Sequence, residues 1–148
     1  DEEWIMIVAN ILKSKGSHVV SVAPTDTLVE VCSILIREGI GAVVVRDASG
    51  RVVGLLGERD IVRALARNGE AALQLTTESV MMRDVTFCAP SDTVDSVMQR
   101  MTDRRVRHLP AIDRGQLVGI ISIGDVVKSR LAESQREAEE LRKYIATG

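Results

Sequence analysis

The pattern of hydrophobic and polar positions along this chain predicts the same order of helices and strands twice. Residues 27–38 place apolar side chains every three or four positions, which predicts an amphipathic helix. The capping box Thr27-Leu-Val-Glu30 indicates where this helix begins, and Gly39 indicates where it ends. Two apolar runs and a further helix should follow: strands over 42–45 and 52–56, and a helix from about Gly57 to Arg67.

The second succession lies 65 or 66 positions further along the chain. Pro24-Thr-Asp26-Thr27 returns as Pro90-Ser-Asp92-Thr93, and Asp60 returns as Asp125. Because this repeat fills most of the 148 residues, it determines the organisation of the whole fold. We therefore predict an α/β (α+β) fold of two β-α-β-β-α repeats packed with pseudo-twofold symmetry. The second copy should contain a helix over 94–101, strands over 109–112 and 117–121, and a helix from Ser122. A short first strand is also predicted in each copy, over 19–22 and 85–88.

Some segments lie outside the repeats. Trp4 to Leu12 predicts an N-terminal helix, and a related run, Ser79 to Met82, precedes the second copy. The predicted boundaries are an N-terminal helix over 1–16, a first repeat over 17–70, a second repeat with its lead-in helix over 71–133, and a helical extension over 134–148.

The last helix carries a heptad spacing. Its apolar and small residues are separated by 4, 3, 4, 3 and 4 positions: Val127, Leu131, Ser134, Ala138, Leu141 and Ile145. This pattern is compatible with a dimer contact or with a helix that lies along the surface of its own module.

The composition narrows the choice of function. Hydrophobic residues are 45% of the chain and aromatic residues only 2%, so the core should be aliphatic. A net charge of −2 argues against nucleic-acid binding, despite the arginines between 100 and 107. We expect no membrane span, because the apolar stretch near the N-terminus is too short. Cys32 and Cys88 lie in apolar contexts, which favours reduced core thiols in a cytoplasmic protein over a disulfide.

The segment Gly119-Ile-Ile-Ser122-Ile-Gly-Asp125 carries the clearest candidate chemistry. It predicts a strand that ends where a helix begins, and a helix N-terminus suits a phosphate. A carboxylate one turn into the helix can accept hydrogen bonds from a ribose diol. The alternative is a plain capping box. Asp60 recurs at the equivalent place in the first copy although Gly57 replaces the serine, which favours the binding interpretation.

Basic residues follow the predicted helix of the second copy. Arg107 and His108 lie where that helix ends and a strand begins, and they could hold a phosphate. The alternative is the ordinary preference of cations for helix C-termini. The first copy has no cation at the equivalent place, and Arg59, next to Asp60, is the predicted substitute.

The doubled unit, the Pro-x-Asp-Thr helix starts, Arg107-His-Leu-Pro110 and the Gly119 to Asp125 segment together resemble a tandem pair of CBS domains (a Bateman module) in a stand-alone, bacterial-type protein. The resemblance covers roughly residues 8–132. It implies adenosine-containing ligands in the clefts between the repeats, with Asp125 and Asp60 on ribose and with Ser122, Arg107, His108 and Arg59 on phosphates. It also implies an adenine pocket lined by Thr86, Phe87, Cys88, Val20, Val22, Pro110 and Ala42.

The expected function is therefore that of a cytoplasmic sensor of an adenine nucleotide. AMP is the first expectation, ADP, ATP and NAD(H) are further ones, and no metal is required. We expect a homodimer that signals to an effector protein in trans. A ligand-free interaction module and an S-adenosylmethionine sensor are the alternatives. An enzyme is not expected, because His18 and His108 belong to no triad and the two cysteines form no zinc pattern.

Overall fold

A computed structural model describes residues 5–16 and 18–147, which form two compact units. One unit is Val19–Val85, and the other combines the described residues up to His18 with those from Thr86 onward. The expected α+β class is confirmed. The first repeat follows the predicted β-α-β-β-α order, and the second follows it without the first strand.

The unit Val19–Val85 contains a three-stranded sheet with helices packed on it. Its elements are β1 (Ser21–Val22), α2 (Leu28–Glu38), β2 (Ala42–Arg46), β3 (Val52–Gly57), α3 (Glu58–Asn68), a 3-10 helix (Gly69–Gln74) and α4 (Thr77–Val80). β2 pairs in parallel with β1 and antiparallel with β3. The core is aliphatic, as the composition requires, and is centred on Leu28, Val31, Val43, Val45 and Leu56.

The second unit repeats this plan on a smaller sheet. Its elements are α1 (Val8–Lys15), α5 (Val94–Arg104), β4 (His108–Asp113), β5 (Gln116–Ser122) and α6 (Ile123–Thr147). β4 and β5 form an antiparallel pair. The core contains Val8, Val94, Val97, Leu109, Ile121 and Val126.

The capping signals act as the sequence predicts. The Thr27 hydroxyl accepts the Glu30 N–H at 3.4 Å, and the Glu30 carboxylate accepts the Thr27 N–H at 3.2 Å. Gly39 ends the helix with φ of 64°, a left-handed conformation that glycine adopts without strain. At the equivalent end of α5, Arg105 adopts this left-handed conformation, with φ of 55°.

The predicted first strand of the second copy, Val85 to Cys88, is wrong as a strand. Only Cys88 pairs, in a parallel bridge with Ala111. Cys88 donates its N–H to the Pro110 carbonyl at 3.0 Å, but the Phe87 carbonyl accepts instead from the Arg100 guanidinium at 2.7 Å. The Arg100 side chain thus hydrogen-bonds the Phe87 carbonyl oxygen, which a longer strand would need for pairing with its neighbour. The first copy keeps a shorter strand than predicted, over Ser21–Val22 alone.

Each unit contains the lead-in helix of the other repeat. α1 precedes the first repeat in sequence but packs with the core of the second through Val8 and Ile11. α4 precedes the second repeat in sequence but belongs to the unit Val19–Val85. Hydrophobic spacing could not reveal this exchange, because it does not identify which sheet a helix covers.

A Val-Gly dipeptide occurs at equivalent places of the two repeats, as Val53-Gly54 and Val118-Gly119, and its glycine allows each lead-in helix to approach the sheet closely. A Cβ placed on Gly54 would overlap the Met81 side chain, next to α4, and a Cβ placed on Gly119 would overlap the Leu12 side chain of α1. Glycine is therefore needed at both places for close packing and not for its backbone freedom.

The terminal helices differ from expectation in extent. α1 begins at Val8, later than predicted, and Ile7 forms an isolated bridge with Thr93 instead of a helical turn. Trp4, the predicted start, lies outside the described residues. α6 is continuous to Thr147, as the heptad spacing predicts. No helix within the described ranges has the length and apolar character needed to cross a membrane.

Candidate functional site

The strand–helix junction of the second repeat holds Ser122 and Asp125 in a reciprocal pair. The Ser122 hydroxyl accepts the Asp125 N–H at 3.1 Å, and the Asp125 carboxylate accepts the Ser122 N–H at 2.9 Å. The capping box is therefore formed. It leaves the serine hydroxyl proton available to a further acceptor, because an oxygen that accepts a hydrogen bond can still donate one. Capping and ligand binding are thus compatible roles for these two residues.

A lysine from α1 contacts the same carboxylate. Lys15 Nζ donates to Asp125 Oδ2 at 2.7 Å and to the Ile120 carbonyl oxygen at 2.8 Å. The side chains of Lys15 and Asp125 are 36% and 22% exposed, so the ion pair is partly shielded from water. Sequence reasoning missed Lys15, because the two residues are 110 positions apart and only the placement of α1 on the second repeat brings them together.

This pair sets the charge state of the candidate ribose carboxylate. Burial by itself would raise the pKa of Asp125, but the hydrogen bonds from Lys15 and the Ser122 N–H, with the attraction of the lysine charge, outweigh it and leave that pKa below 3.8. Asp125 is therefore ionised near neutral pH and able to accept two hydroxyl donors.

The pH dependence of stability should reveal the ion pair. Because the folded-state pKa of Asp125 is lowered, its stabilising contribution is present above pH 3.8 and is lost as the pH falls below that value. We expect Lys15→Met to lower the free energy of unfolding by about 1 kcal/mol at pH 7. This difference from the parent should shrink in acid.

Urea unfolding of the parent and Lys15→Met between pH 3 and 7 measures this difference. Lys13→Met is the matched control, since it removes a lysine from the same exposed end of α1. An equal cost at all pH values would show that Lys15 stabilises the fold through its packing and not through Asp125.

Strand pairing brings the predicted phosphate-binding residues to the same junction. His108 lies directly opposite Ser122 in the β4–β5 ladder, so both side chains are on one face of the hairpin. The Arg107 carbonyl accepts the N–H of Ile123, the first residue of α6, at 2.8 Å, and the Arg107 side chain is exposed. The predicted set of Asp125, Ser122, Arg107 and His108 therefore gathers at one end of one hairpin.

The first repeat builds the equivalent junction with fewer polar groups. Ala42 lies opposite Gly57, as His108 lies opposite Ser122. The Asp60 carboxylate accepts the Gly57 N–H at 2.9 Å. This is the same bond that Asp125 makes to Ser122, but Gly57 has no hydroxyl to form the second bond of the capping box. Arg63 contacts the other carboxylate oxygen of Asp60 at 3.3 Å.

A cavity of about 320 Å³ opens beside Asp60. Its wall includes Arg63, Arg67 and Ser79 but not the predicted Arg59, whose side chain is exposed. Arg63 and Arg67 lie three and seven positions after Asp60 on α3, one and two helical turns further along the same face. That spacing was the signal in the sequence that could have identified them.

The residues predicted to line the adenine pocket differ in the exposure of their side chains. Val22, Ala42 and Cys88 are 5%, 4% and 4% exposed, and Val22 and Cys88 pack in the two cores. As placed, these residues could present only backbone groups to a ligand. Phe87 is 38% exposed and has the ring surface that stacking on adenine would need. Thr86 and Val20 are half-buried, and Pro110 is buried.

Cys32 and Cys88 are both free thiols. Burial, with a smaller effect of the Asp92 carboxylate, raises the pKa of the Cys88 thiol to about 12, against the weaker pull of Arg100. Such a thiol is not a nucleophile near neutral pH. The described residues also contain no group of three histidine, cysteine or acidic side chains arranged to hold a metal ion.

Two repeats that share the order helix-strand-strand-helix and the same strand–helix–aspartate junction define the class of the protein. The family model of the CBS domain matches residues 9–67 and 78–132, and the chain belongs to this family as a tandem CBS pair.

Solved structures and a curated relative agree with this assignment. The chain is 45% identical to the CBS-domain containing protein ATU1752 from Agrobacterium tumefaciens, whose crystal structure matches with a TM-score of 0.82 over 84% of this chain and 92% of that one. It is 28% identical to the mitochondrial CBS domain-containing protein CBSX3 of Arabidopsis thaliana, over 95% of this chain and 72% of the relative.

One structural neighbour contains adenosine-type ligands. The CBS domain pair of protein MJ0100 was crystallised in complex with 5′-methylthioadenosine and S-adenosyl-L-methionine. It is 28% identical to this chain, with a TM-score of 0.74 over 88% of this chain and 98% of that one.

Proposed function

We propose that this CBS pair is a regulatory module that binds an adenosine-containing nucleotide and passes the signal to a partner protein in trans. The observation that carries this proposal is the recurrence of one ionisable group. In each repeat an aspartate in the first turn of a helix receives a backbone N–H from the end of the preceding strand and contacts a cation. A cap alone requires no cation in either repeat.

The residues of the second unit have distinct roles in this proposal. Asp125 accepts the ribose hydroxyls, in part by exchanging the Lys15 ammonium for them. The Ser122 hydroxyl, the N-terminus of α6, Arg107 and His108 hold the phosphate, since they lie at one junction and supply donors and positive charge. Phe87 stacks on adenine.

The first unit holds phosphate with different cations. Asp60 accepts ribose, as in the second unit. Gly57 offers no hydroxyl, so Arg63 and Arg67 in the adjoining cavity supply the positive charge that was assigned to Arg59 from sequence. The two repeats therefore bind the same class of ligand with unequal affinity, because their phosphate-binding groups differ.

AMP is the first candidate ligand. One helix N-terminus with one or two neighbouring cations is sufficient for a single phosphate. ADP, ATP and NAD(H) require the additional cations to reach further phosphates. S-adenosylmethionine is the second candidate class, favoured by the ligands of the MJ0100 domain pair.

Signalling follows from differential binding. A ligand can shift the equilibrium between two arrangements of the protein only by the difference between its affinities for them. The exchange of Lys15 for ribose at Asp125 supplies such a difference, because it releases the end of α1 from the carboxylate.

Thermal unfolding against AMP, ADP, ATP, NAD⁺, NADH and S-adenosylmethionine tests the proposal. A ligand that binds only the folded state raises Tm with its concentration, by roughly 2.7 kcal/mol of stabilisation at a hundred times its Kd. We expect such a rise with at least one of these ligands. The absence of a rise with all six, at millimolar concentration, would favour the alternative of a ligand-free interaction module.

A further inference from the structure

We propose that residues 127–145 of α6 form a parallel two-stranded coiled coil with the same residues of a second copy of this chain. The proposal concerns a surface outside the nucleotide site and does not depend on nucleotide binding. It rests on the exposure of the heptad positions, on their size and on the charges that flank them.

One face of α6 packs on the rest of its unit, and the heptad positions lie on a different face. Val126 and Ser129 are 0% and 6% exposed, and Glu133 accepts the Met6 N–H at 2.9 Å, so these residues form the face packed on the rest of the unit. At 100° per residue, the heptad positions from Val127 to Ile145 lie roughly 130° around the helix from that face. The second face therefore points away from the unit.

The second face is exposed over several turns. Its large side chains are 49–69% exposed: Val127, Leu131, Leu141 and Ile145. Of the two alternatives left open by the sequence, a heptad face that packs along its own module therefore disagrees with the exposure of these residues. Apolar side chains repeated over five turns of a helix with polar residues elsewhere favour burial against another apolar helix.

The sizes of the side chains on the exposed heptad face favour a second helix packed at a short interaxial distance. Ser134 and Ala138 form the middle of the stripe, with leucine on both sides. Small central residues allow two helix backbones to approach closely, while the leucines and Ile145 supply the buried area at each end. A flat or bulky partner would leave a gap at this centre.

The flanking charges identify the partner as a second copy in parallel orientation. When Leu131 and Ala138 are a positions, Glu137 is a g position and Arg142 is the e position of the next heptad. A parallel dimer places g opposite the e residue five positions later in the partner. Glu137 of each copy would then face Arg142 of the other, and the twofold symmetry forms this ion pair twice.

An antiparallel pair would lose these contacts. In that orientation g faces g and e faces e, so Glu137 and Arg142 never meet. The antiparallel register that pairs Glu137 with Arg130 leaves Leu141 and Ile145 without a partner. Arg130 is also engaged already, at 3.1 Å from Asp95 and 3.0 Å from Glu133. Among the ion pairs of the described residues, none includes Glu137 or Arg142, so both are available.

Charge exchange tests both the partner and its orientation. We expect the parent to be a dimer by sedimentation equilibrium at micromolar concentration. Glu137→Arg and Arg142→Glu should each raise the dimer dissociation constant about tenfold, because two attractive pairs become repulsive. The double variant should restore the parent value. Glu139→Arg is the matched control, with the same change of charge on the same helix but at a b position, and it should leave the constant unchanged.

Disulfide formation provides a second, independent test. In a parallel, in-register pair Ser134 lies opposite Ser134 of the second copy, so Ser134→Cys should form a covalent dimer on mild oxidation. The parent, which already has Cys32 and Cys88, is the control. A monomeric parent, an equal effect of Glu139→Arg, a double variant without recovery or no covalent dimer of Ser134→Cys would each overturn the proposal. Circular dichroism confirms that each variant is folded.

Discussion

Asp125→Ala is expected to weaken nucleotide binding at its site about a hundredfold. A charged carboxylate that accepts two ribose hydroxyls contributes about 3 kcal/mol when both bonds form in a partly shielded site. The substitution also leaves the Lys15 ammonium without its carboxylate and opens one side of the capping box at Ser122. Isothermal titration calorimetry with the ligand that raises Tm measures the change.

Two matched variants separate binding from folding in this experiment. Asp95→Ala removes another first-turn aspartate of the same unit, paired with Arg130 at 3.1 Å, and should leave nucleotide affinity unchanged. Asp60→Ala should remove only the binding step that belongs to the first unit. If Asp125→Ala loses its folded structure, or binds nucleotide as tightly as Asp95→Ala, Asp125 acts as a cap and not as a ribose ligand.

Gly54→Val is expected to lower the free energy of unfolding by about 3 kcal/mol. Overpacking of a filled core costs about 1–3 kcal/mol, and here a backbone atom is among the obstacles. A Cβ at this place would overlap the Met81 side chain and lie 3.0 Å from the Met82 carbonyl oxygen. That oxygen accepts the Leu55 N–H at 3.0 Å, so the segment cannot move away without losing a hydrogen bond.

The equivalent glycine of the other repeat provides the comparison. A Cβ on Gly119 would overlap only Leu12, whose side chain can rotate, so Gly119→Val should cost less than Gly54→Val. Urea unfolding of both variants measures the difference. Equal costs would show that the backbone at Met82 yields as easily as the Leu12 side chain.

Much of the fold could be predicted because its signals are local. The capping box at Thr27 and Glu30, the stop at Gly39 and the apolar run of β2 each act through residues a few positions apart, and the structure contains all three. The doubled pattern then predicts a second unit of the same design. The wrong strand at Val85 to Cys88 shows where local pattern fails, because a distant guanidinium determines how the Phe87 carbonyl is bonded.

The candidate site was predictable in part for the same reason. Asp125, Ser122, His108 and Arg107 are joined by one hairpin, and strand pairing alone brings them together. Lys15 was not predictable, since its contact with Asp125 depends on the exchange of lead-in helices. The choice between Arg59 and Arg63 depends on the direction in which each side chain leaves α3, which sequence adjacency to Asp60 does not indicate.

The exchange of lead-in helices also determines an order of folding. Val19–Val85 is continuous in sequence, so it can fold as soon as its own residues have been synthesised. The other unit joins α1 to strands about a hundred positions away, and a large loop must close before Val8 meets Leu109. During synthesis the apolar face of α1 therefore has no partner surface until the second repeat has left the ribosome. α1 is therefore synthesised well before the unit that it joins can be completed. In that interval its apolar face is a surface that a chaperone or a neighbouring nascent copy could bind.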